Sequence, residues 1–345
     1  MSKFFDIPIY TYELARSANF SAQYLLLSGL QRVLFGSKQL SHIATREIMR
    51  ALEKEMTQLL KNDAHQIGSG VFPLSVLTPE APFEHLKRVP RLLVDGLLIS
   101  LRRSRGKTTE FKKRASELLD ELPRYYRRNF HFQTDGYLSR HSAELYEHQV
   151  ELLFAGTGDA MRRLIIAPMK EAFKNSDGTG LKFLEIGAGA GSATRFVRLC
   201  FPKAKIVAVD LSDPYLKHAQ KKLAGHYGID FLCADGAKLP FKDGEFDAVY
   251  SVFLFHELPL SARKEMLLEA KRLLKAGGFL GYVDSLQKGD YPIVDPVLEN
   301  FPEEFHEPYY RNYLNHSMEK LVAECGFKNI KFDRGFLSKV GSAKS

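Results

Sequence analysis

Between Leu181 and Asp284 the chain returns five times to the same device, a short and nearly continuous apolar run. The runs are "LKFLEI" (181–186), "KIVAVD" (205–210), "IDFLCA" (229–234), "FDAVYSVF" (246–253) and "GFLGYVD" (278–284). Segments of helical periodicity lie between them at 191–200, 213–224 and 261–274. In the last of these, Met266, Ala270 and Leu273 recur at i, i+4 and i+7, and Gly277-Gly278 is read as the helix stop. Strands without polar alternation are buried on both faces, which calls for helices above and below a parallel sheet. Near the end, "FKNIKF" (327–332) and "RGFLSKV" (334–340) are separated by Asp333 alone. No crossover fits so short a gap, so this pair is expected to be antiparallel.

The first half of the 345 residues reads differently. "SHIATREIMRALEKEMTQLL" carries Ile43, Ile48, Leu52, Met56 and Leu59 at helical steps. "TEFKKRASELLDEL" and "SAELYEHQVELLF" predict two further helices, the latter with Ser142 as N-cap. "QIGSGVFPLSVLTPEAP" (66–82) is punctuated by Gly and Pro and reads as a loop. The polar, Gly-rich "KNSDGTG" (174–180) marks a boundary. It divides a helical N-terminal region, 1–173, from an α/β domain, 174–345, with an insertion at 285–315.

The net charge of +8 is concentrated. Residues 101–130 hold ten Lys/Arg against four Asp/Glu, a local excess of +6. Such a stretch suits a solvated helix face, and contact with a membrane surface is the functional option. With no nucleic-acid module recognisable, a nucleic-acid partner is not expected. The three cysteines, Cys200, Cys233 and Cys325, lack metal or disulfide spacing and suit a reducing, cytoplasmic compartment. No stretch is apolar enough to span a membrane.

Chemistry concentrates in "LEIGAGAGSATRF". Gly187, Gly189 and Gly191 follow the first strand, where an open parallel sheet places its ligand. The spacing is G-x-G-x-G, unlike the G-x-G-x-x-G of dinucleotide folds, and no G-x-x-x-x-G-K-[ST] occurs. Glu185 ends that strand, where it would repel a pyrophosphate and welcome a cation. Asp210 ends the second strand, 23 residues after Gly187, where an acid suits a ribose diol. Asp235 follows the third. Three carboxylates at three strand ends describe a nucleoside ligand with positive charge and no phosphate.

These segments resemble the class I S-adenosylmethionine-dependent methyltransferases, most closely the group containing the ubiquinone/menaquinone methyltransferases. The matching stretches are "FLEIGAGAGSATR", "VAVDLS", "CADGAKLPFKDGEFDAVYS" and "LLEAKRLLKAGGFLGYVD". The resemblance is strong over about residues 181–284 and weaker over the last strand pair. It implies an α/β fold, a seven-stranded Rossmann-like methyltransferase sheet, mostly parallel with an antiparallel last strand, preceded by the α-helical region. It implies S-adenosylmethionine as cofactor and a small-molecule acceptor, apolar, aromatic or quinone-like. Glu185, Gly187, Gly189 and Gly191 would hold its methionine end, Asp210 its ribose, and Leu211, Asp235, Gly236 and Ala237 its adenine. Ser251 would line the transfer side. A methyltransferase-like binding protein without catalysis and a nicotinamide-dependent oxidoreductase are the competing readings.

The flanks would choose the acceptor. "RNFHFQTDGYLSRHSAELYEHQ" carries His131, Tyr137 and Tyr146, and the segment after the fifth strand carries His306, Tyr309 and Tyr310. His256, in "FLFHELP", is the candidate general base, since an imidazole titrates near neutrality. His306 and Glu307 are adjacent and therefore point apart, and Pro308 breaks any H-E-x-x-H helix, so no metal site is expected.

Overall fold

The apolar runs form β1 (Lys182–Ile186), β2 (Lys205–Asp210), β3 (Ile229–Cys233), β4 (Phe246–Val252) and β5 (Leu274–Ser285), followed by β6 (Lys328–Gly335) and β7 (Ser338–Lys344). This is a computed structural model, and it describes residues 2–35, 45–78, 82–106, 109–117 and 119–345. The sheet order is β3-β2-β1-β4-β5-β7-β6. All pairings from β3 to β5 are parallel, while β7 is antiparallel to both β5 and β6. The order reverses between β1 and β4, and that reversal opens a crevice at the carboxyl ends of the strands.

Successive residues of β1 serve opposite faces, as the two-residue period of a strand requires. Phe183 packs with Ile165, Ile166, Phe196 and Val197, from the helices Ile166–Ala172 and Ser192–Cys200 and the residue just before the first. Leu184 and Ile186 pack with Met266, Leu267 and Ala270 from the helix Leu260–Leu273. Ile9, Ile67 and Phe72 join the Phe183 cluster, so residues on both sides of the expected boundary at 173/174 share one apolar core.

Local departures from the expectations have local causes. The helix 261–274 ends at Leu273, because Leu274 already has strand geometry (φ −74°, ψ 137°), and Gly277 with φ 70° lies inside β5 instead of capping the helix. The turn between β6 and β7 falls at Phe336-Leu337, not at Asp333, which still pairs with Val340 within the ladder. "TEFKKRASELLDEL" forms only a single turn, Lys113–Ser116, and a short 3-10 turn at Leu119–Glu121. The helix Arg140–Leu153 is capped by Ser139, which accepts from the Ser142 amide, so Ser142 is a first-turn residue. Residues 41–44 of the first expected helix lie outside the described residues; the helix runs Arg46–Gly68 from an N-cap at Thr45. Ahead of it stands the helix Ser2–Phe35.

Among the described residues no helix is long and apolar enough to cross a membrane. Part of the basic stretch turns inward: Arg102 donates to the Phe132 carbonyl at 2.7 Å, Arg127 to that of Leu122 at 2.8 Å, and Arg128 lies over the Tyr309 ring.

Three N-terminal elements are tied together by Arg163. Its guanidinium donates to both oxygens of Asp63 and to Glu13 at 2.8 Å, and all three side chains are buried. Burial, together with the neighbouring Asp63, pushes Glu13 up to about 9. Removing one member leaves an uncompensated buried charge, which costs about 3–5 kcal/mol. Arg163→Ala is therefore expected to lower unfolding free energy by roughly that amount in urea titrations. Lys331→Ala, which breaks the exposed pair with Glu171, should change it by less than about 1 kcal/mol.

Candidate functional site

The crevice begins where β1 ends. The amides of Gly187 and Ala188 both donate to the Val209 carbonyl at 2.9 Å, which bends the chain out of the sheet. Gly187 has φ 77°, a left-handed value that glycine adopts without strain, and an added Cβ would meet Leu254 Cδ2 at 2.9 Å. Gly189 faces open space. Gly191 has φ 82° and caps the helix Ser192–Cys200, but its outer side meets Ala219, so it serves packing and not the cavity.

The cavity over this turn is lined by Glu185, Gly187, Gly189, Asp210, Leu211 and Gly236, as expected, and by Val252, Phe253 and Leu254 beyond β4. Asp235, Ala237 and Ser251 are not among its lining residues. Asp235 Oδ1 accepts from the Ala237 amide at 3.0 Å, which shapes the turn that presents Gly236. Ser251 is buried within β4, one residue below the lining.

Glu185 is 1% exposed and Oε2 accepts from Thr194 Oγ1 at 2.6 Å and Tyr250 OH at 2.9 Å. Burial pushes its carboxyl up to about 7, although those hydroxyls favour the charged form. Asp210 accepts from the Gly189 amide through Oδ2 and from the Ser212 amide through Oδ1, each at 2.8 Å. Burial pushes Asp210 up to about 6. Thr194 and Tyr250 are functional neighbours that sequence reasoning missed; Thr194 stands nine residues after Glu185 with no spacing signal.

Most of the roof comes from the N-terminal region, with Tyr215 added by the helix Asp213–Lys222. Tyr126, Phe130, Tyr137, Tyr146 and Tyr215 line the cavity, and their rings meet at centroid separations of 5.3 to 6.2 Å. Ser212 Oγ donates to the Tyr137 carbonyl at 2.6 Å while accepting from the Tyr215 amide. Ser142 Oγ bonds Gln133 Oε1 at 2.6 Å and the Tyr215 hydroxyl at 2.8 Å. His131, Phe132 and Asp135 all have positive φ, 55°, 54° and 62°. Such backbone persists only where its surroundings hold it. Here the Asn129 side-chain amide donates to Gln133 O, and Asp135 Oδ1 accepts from the Lys112 amide.

Polar groups gather on the far side of Tyr137. Its hydroxyl donates to Glu257 Oε1 at 2.5 Å and lies 3.0 Å from His131 Nε2. His131 Nδ1 lies 3.0 Å from Glu307 Oε1. His256 is bound through Nδ1 to Asp284 Oδ1 at 2.6 Å, and its ring meets Tyr310 and Tyr313 edge-on. Burial alone would lower His256, but Asp284 raises it to about 9. Burial pushes Glu307 up to about 7 against the pull of His131 and His256.

The substrate-side candidates therefore divide. Tyr137 and Tyr146 line the cavity, and His131 stands behind Tyr137. Tyr309 packs against the aromatic roof. Tyr310 is buried, bonds Ser285 Oγ at 2.5 Å and supports His256 from behind. The His306 ring lies tilted against Phe132, with centroids 5.0 Å apart. Glu257 and Asp284 were not singled out in the sequence, and Glu307 was considered there only as a metal partner of His306. Their one signal is position: Glu257 follows His256, and Asp284 stands near the end of β5.

The family model described as "Methyltransferase domain" matches residues 183–278. An uncharacterized protein of Methanocaldococcus jannaschii is 36% identical, over 43% of this chain and 65% of its own length. The ubiquinone/menaquinone biosynthesis C-methyltransferase of Desulfotalea psychrophila is 29% identical, over 39% and 50%. The mitochondrial 2-methoxy-6-polyprenyl-1,4-benzoquinol methylase of Leishmania donovani is 38% identical, over 46% and 62%. The chain thus spans less than two thirds of the length of each of these relatives.

Ser212 joins the roof to the sheet, so its removal should loosen the roof. Ser212→Ala is expected to cost about 1 kcal/mol in stability, the usual loss for an N-cap. Hydrogen exchange should quicken at the amides of residues 130–137 more than in β1 or β4.

Proposed function

Residues 183–278 form a class I S-adenosylmethionine-dependent methyltransferase domain, and from that premise we propose that the protein methylates a small aromatic or apolar acceptor of quinone-like character. One observation carries the reading: a single cavity has the carboxylates of Glu185 and Asp210 at its floor and five aromatic rings at its roof. The floor suits the cofactor. Glu185, buried beside the turn, favours an ammonium and disfavours a pyrophosphate. Asp210 retains lone pairs for ribose hydroxyls beyond its two amide bonds. Leu211 and Gly236 offer an apolar slot for adenine, and Asp235 shapes the turn that presents Gly236.

When bound, S-adenosylmethionine supplies a sulfonium-activated methyl carbon. What this chain adds is alignment: in-line positioning is worth effective molarities on the order of 10⁵–10⁸ M. Val252, Phe253 and Leu254 border the transfer side. Tyr137 and Tyr146 offer flat apolar walls to the acceptor, and Glu257 forms the polar end of the pocket, with His256 outside the lining and its Nε2 3.9 Å from Glu257 Oε1. The N-terminal region, 1–173, is assigned to acceptor selection, because it supplies four of the five roof rings. Similarity to two methyltransferases whose names specify quinone substrates or pathways supports the acceptor class.

Calorimetry with S-adenosylhomocysteine and NADH tests the reading. Binding of the sulfur nucleoside without binding of NADH is expected; the reverse would replace the methyltransferase with an oxidoreductase. Binding without turnover of any quinol or phenol would leave only a binding protein. Asp210→Asn should weaken S-adenosylhomocysteine by tenfold or more. Because Glu185 and Asp210 titrate at about 7 and about 6 and act as acceptors when ionised, affinity should be highest above pH 7 and fall as pH drops through both values.

A further inference from the structure

Beside the cavity, His131, Glu257 and Glu307 each bring one ligand-type atom within 4.8 Å of the others. They come from three distant parts of the chain: the strained segment after Asn129, the turn beyond β4, and the insertion after β5. Two carboxylates and an imidazole so close, with Glu257 9% and Glu307 2% exposed, require a compensating charge. Among the described residues neither oxygen of Glu307 has a hydrogen-bond partner, although Oε1 faces His131 Nδ1 at 3.0 Å. A buried carboxylate aimed at a cluster and left without hydrogen bonds is the second observation, and it points to a ligand.

We propose that His131, Glu257 and Glu307 bind a divalent cation whose open coordination positions face the acceptor cavity. One nitrogen and two carboxylate donors suit Zn²⁺ or Mn²⁺. His256 is placed to complete the set. Its Nε2 lies 3.9 Å from Glu257 Oε1, and its Nδ1 is held by Asp284, the carboxylate–histidine arrangement that orients metal-binding imidazoles. Glu257 and Tyr137 both line the cavity, so an ion here borders the aromatic pocket. It would hold an acceptor through an oxygen, as a hydroxyl or enolate, and lower the pKa of that group. This use of the ion rests on the proposed acceptor pocket; the ion site itself does not.

The test is equilibrium dialysis of chelator-treated protein against ZnCl₂ and, separately, MnCl₂, with bound metal measured by mass spectrometry. One equivalent of at least one of the two ions per chain is expected. Glu307→Gln should weaken that binding at least tenfold while S-adenosylhomocysteine affinity, read by calorimetry, stays within about threefold of wild type. Absence of stoichiometric binding of both ions at submillimolar concentration would overturn the proposal. So would equal binding by Glu307→Gln, provided that variant retains the nucleoside. If Glu307→Gln fails to fold, Glu257→Gln and His131→Gln carry the comparison on the same terms. A wild type that binds the metal but not the sulfur nucleoside would sink the methyltransferase reading and leave the ion site standing.

Discussion

One carbonyl oxygen organises the site. Val209 O accepts from Gly187 and Ala188 at once, and the chain leaving β1 is thereby tied to the end of β2. This link sets the bend of the glycine turn and brings the Gly189 amide to Asp210 Oδ2. It also starts the helix Ser192–Cys200 at Gly191, from which Thr194 reaches back to Glu185. Floor acids and turn glycines are therefore one unit. Each acid is held in part by a group that the turn positions: Asp210 by the Gly189 amide and Glu185 by Thr194.

The floor was legible in the sequence for that reason. Its parts lie at the ends of consecutive strands, and strands announce themselves through apolar runs and glycine breaks. Glu185, Gly187, Asp210, Leu211 and Gly236 all reach the cavity from such positions. Asp235 shows the limit of the method. An acid at a strand end was found, but whether it or its neighbour faces the crevice depends on the turn, and the turn presents Gly236.

The polar end was much less legible. His131, Glu257 and Glu307 share no spacing, because the fold and not the local chain brings them together. The contrast between His306 and Glu307 is instructive. Their adjacency argued against a joint role for them. It did not argue against Glu307 acting alone with partners more than 40 residues away. Secondary-structure errors have a similar origin. "TEFKKRASELLDEL" has helical periodicity but little to bury it against, and only single turns survive. The β6–β7 turn moved because pairing with β5, which extends to Ser285↔Ser338, decides where β7 begins.

The bond from Ser212 to the Tyr137 carbonyl has a consequence for how such a protein diversifies. The sheet and its floor can be inherited unchanged while the roof is rewritten around the polar contacts that join them, among them Ser212 with Tyr137, Tyr215 with Ser142 and Tyr137 with Glu257. A new roof segment that keeps those anchor points inherits the whole nucleoside site and alters only what is held opposite it. Lineages built on this plan would then differ most in the hundred and seventy residues before the sheet, and least in the hundred that the family model matches.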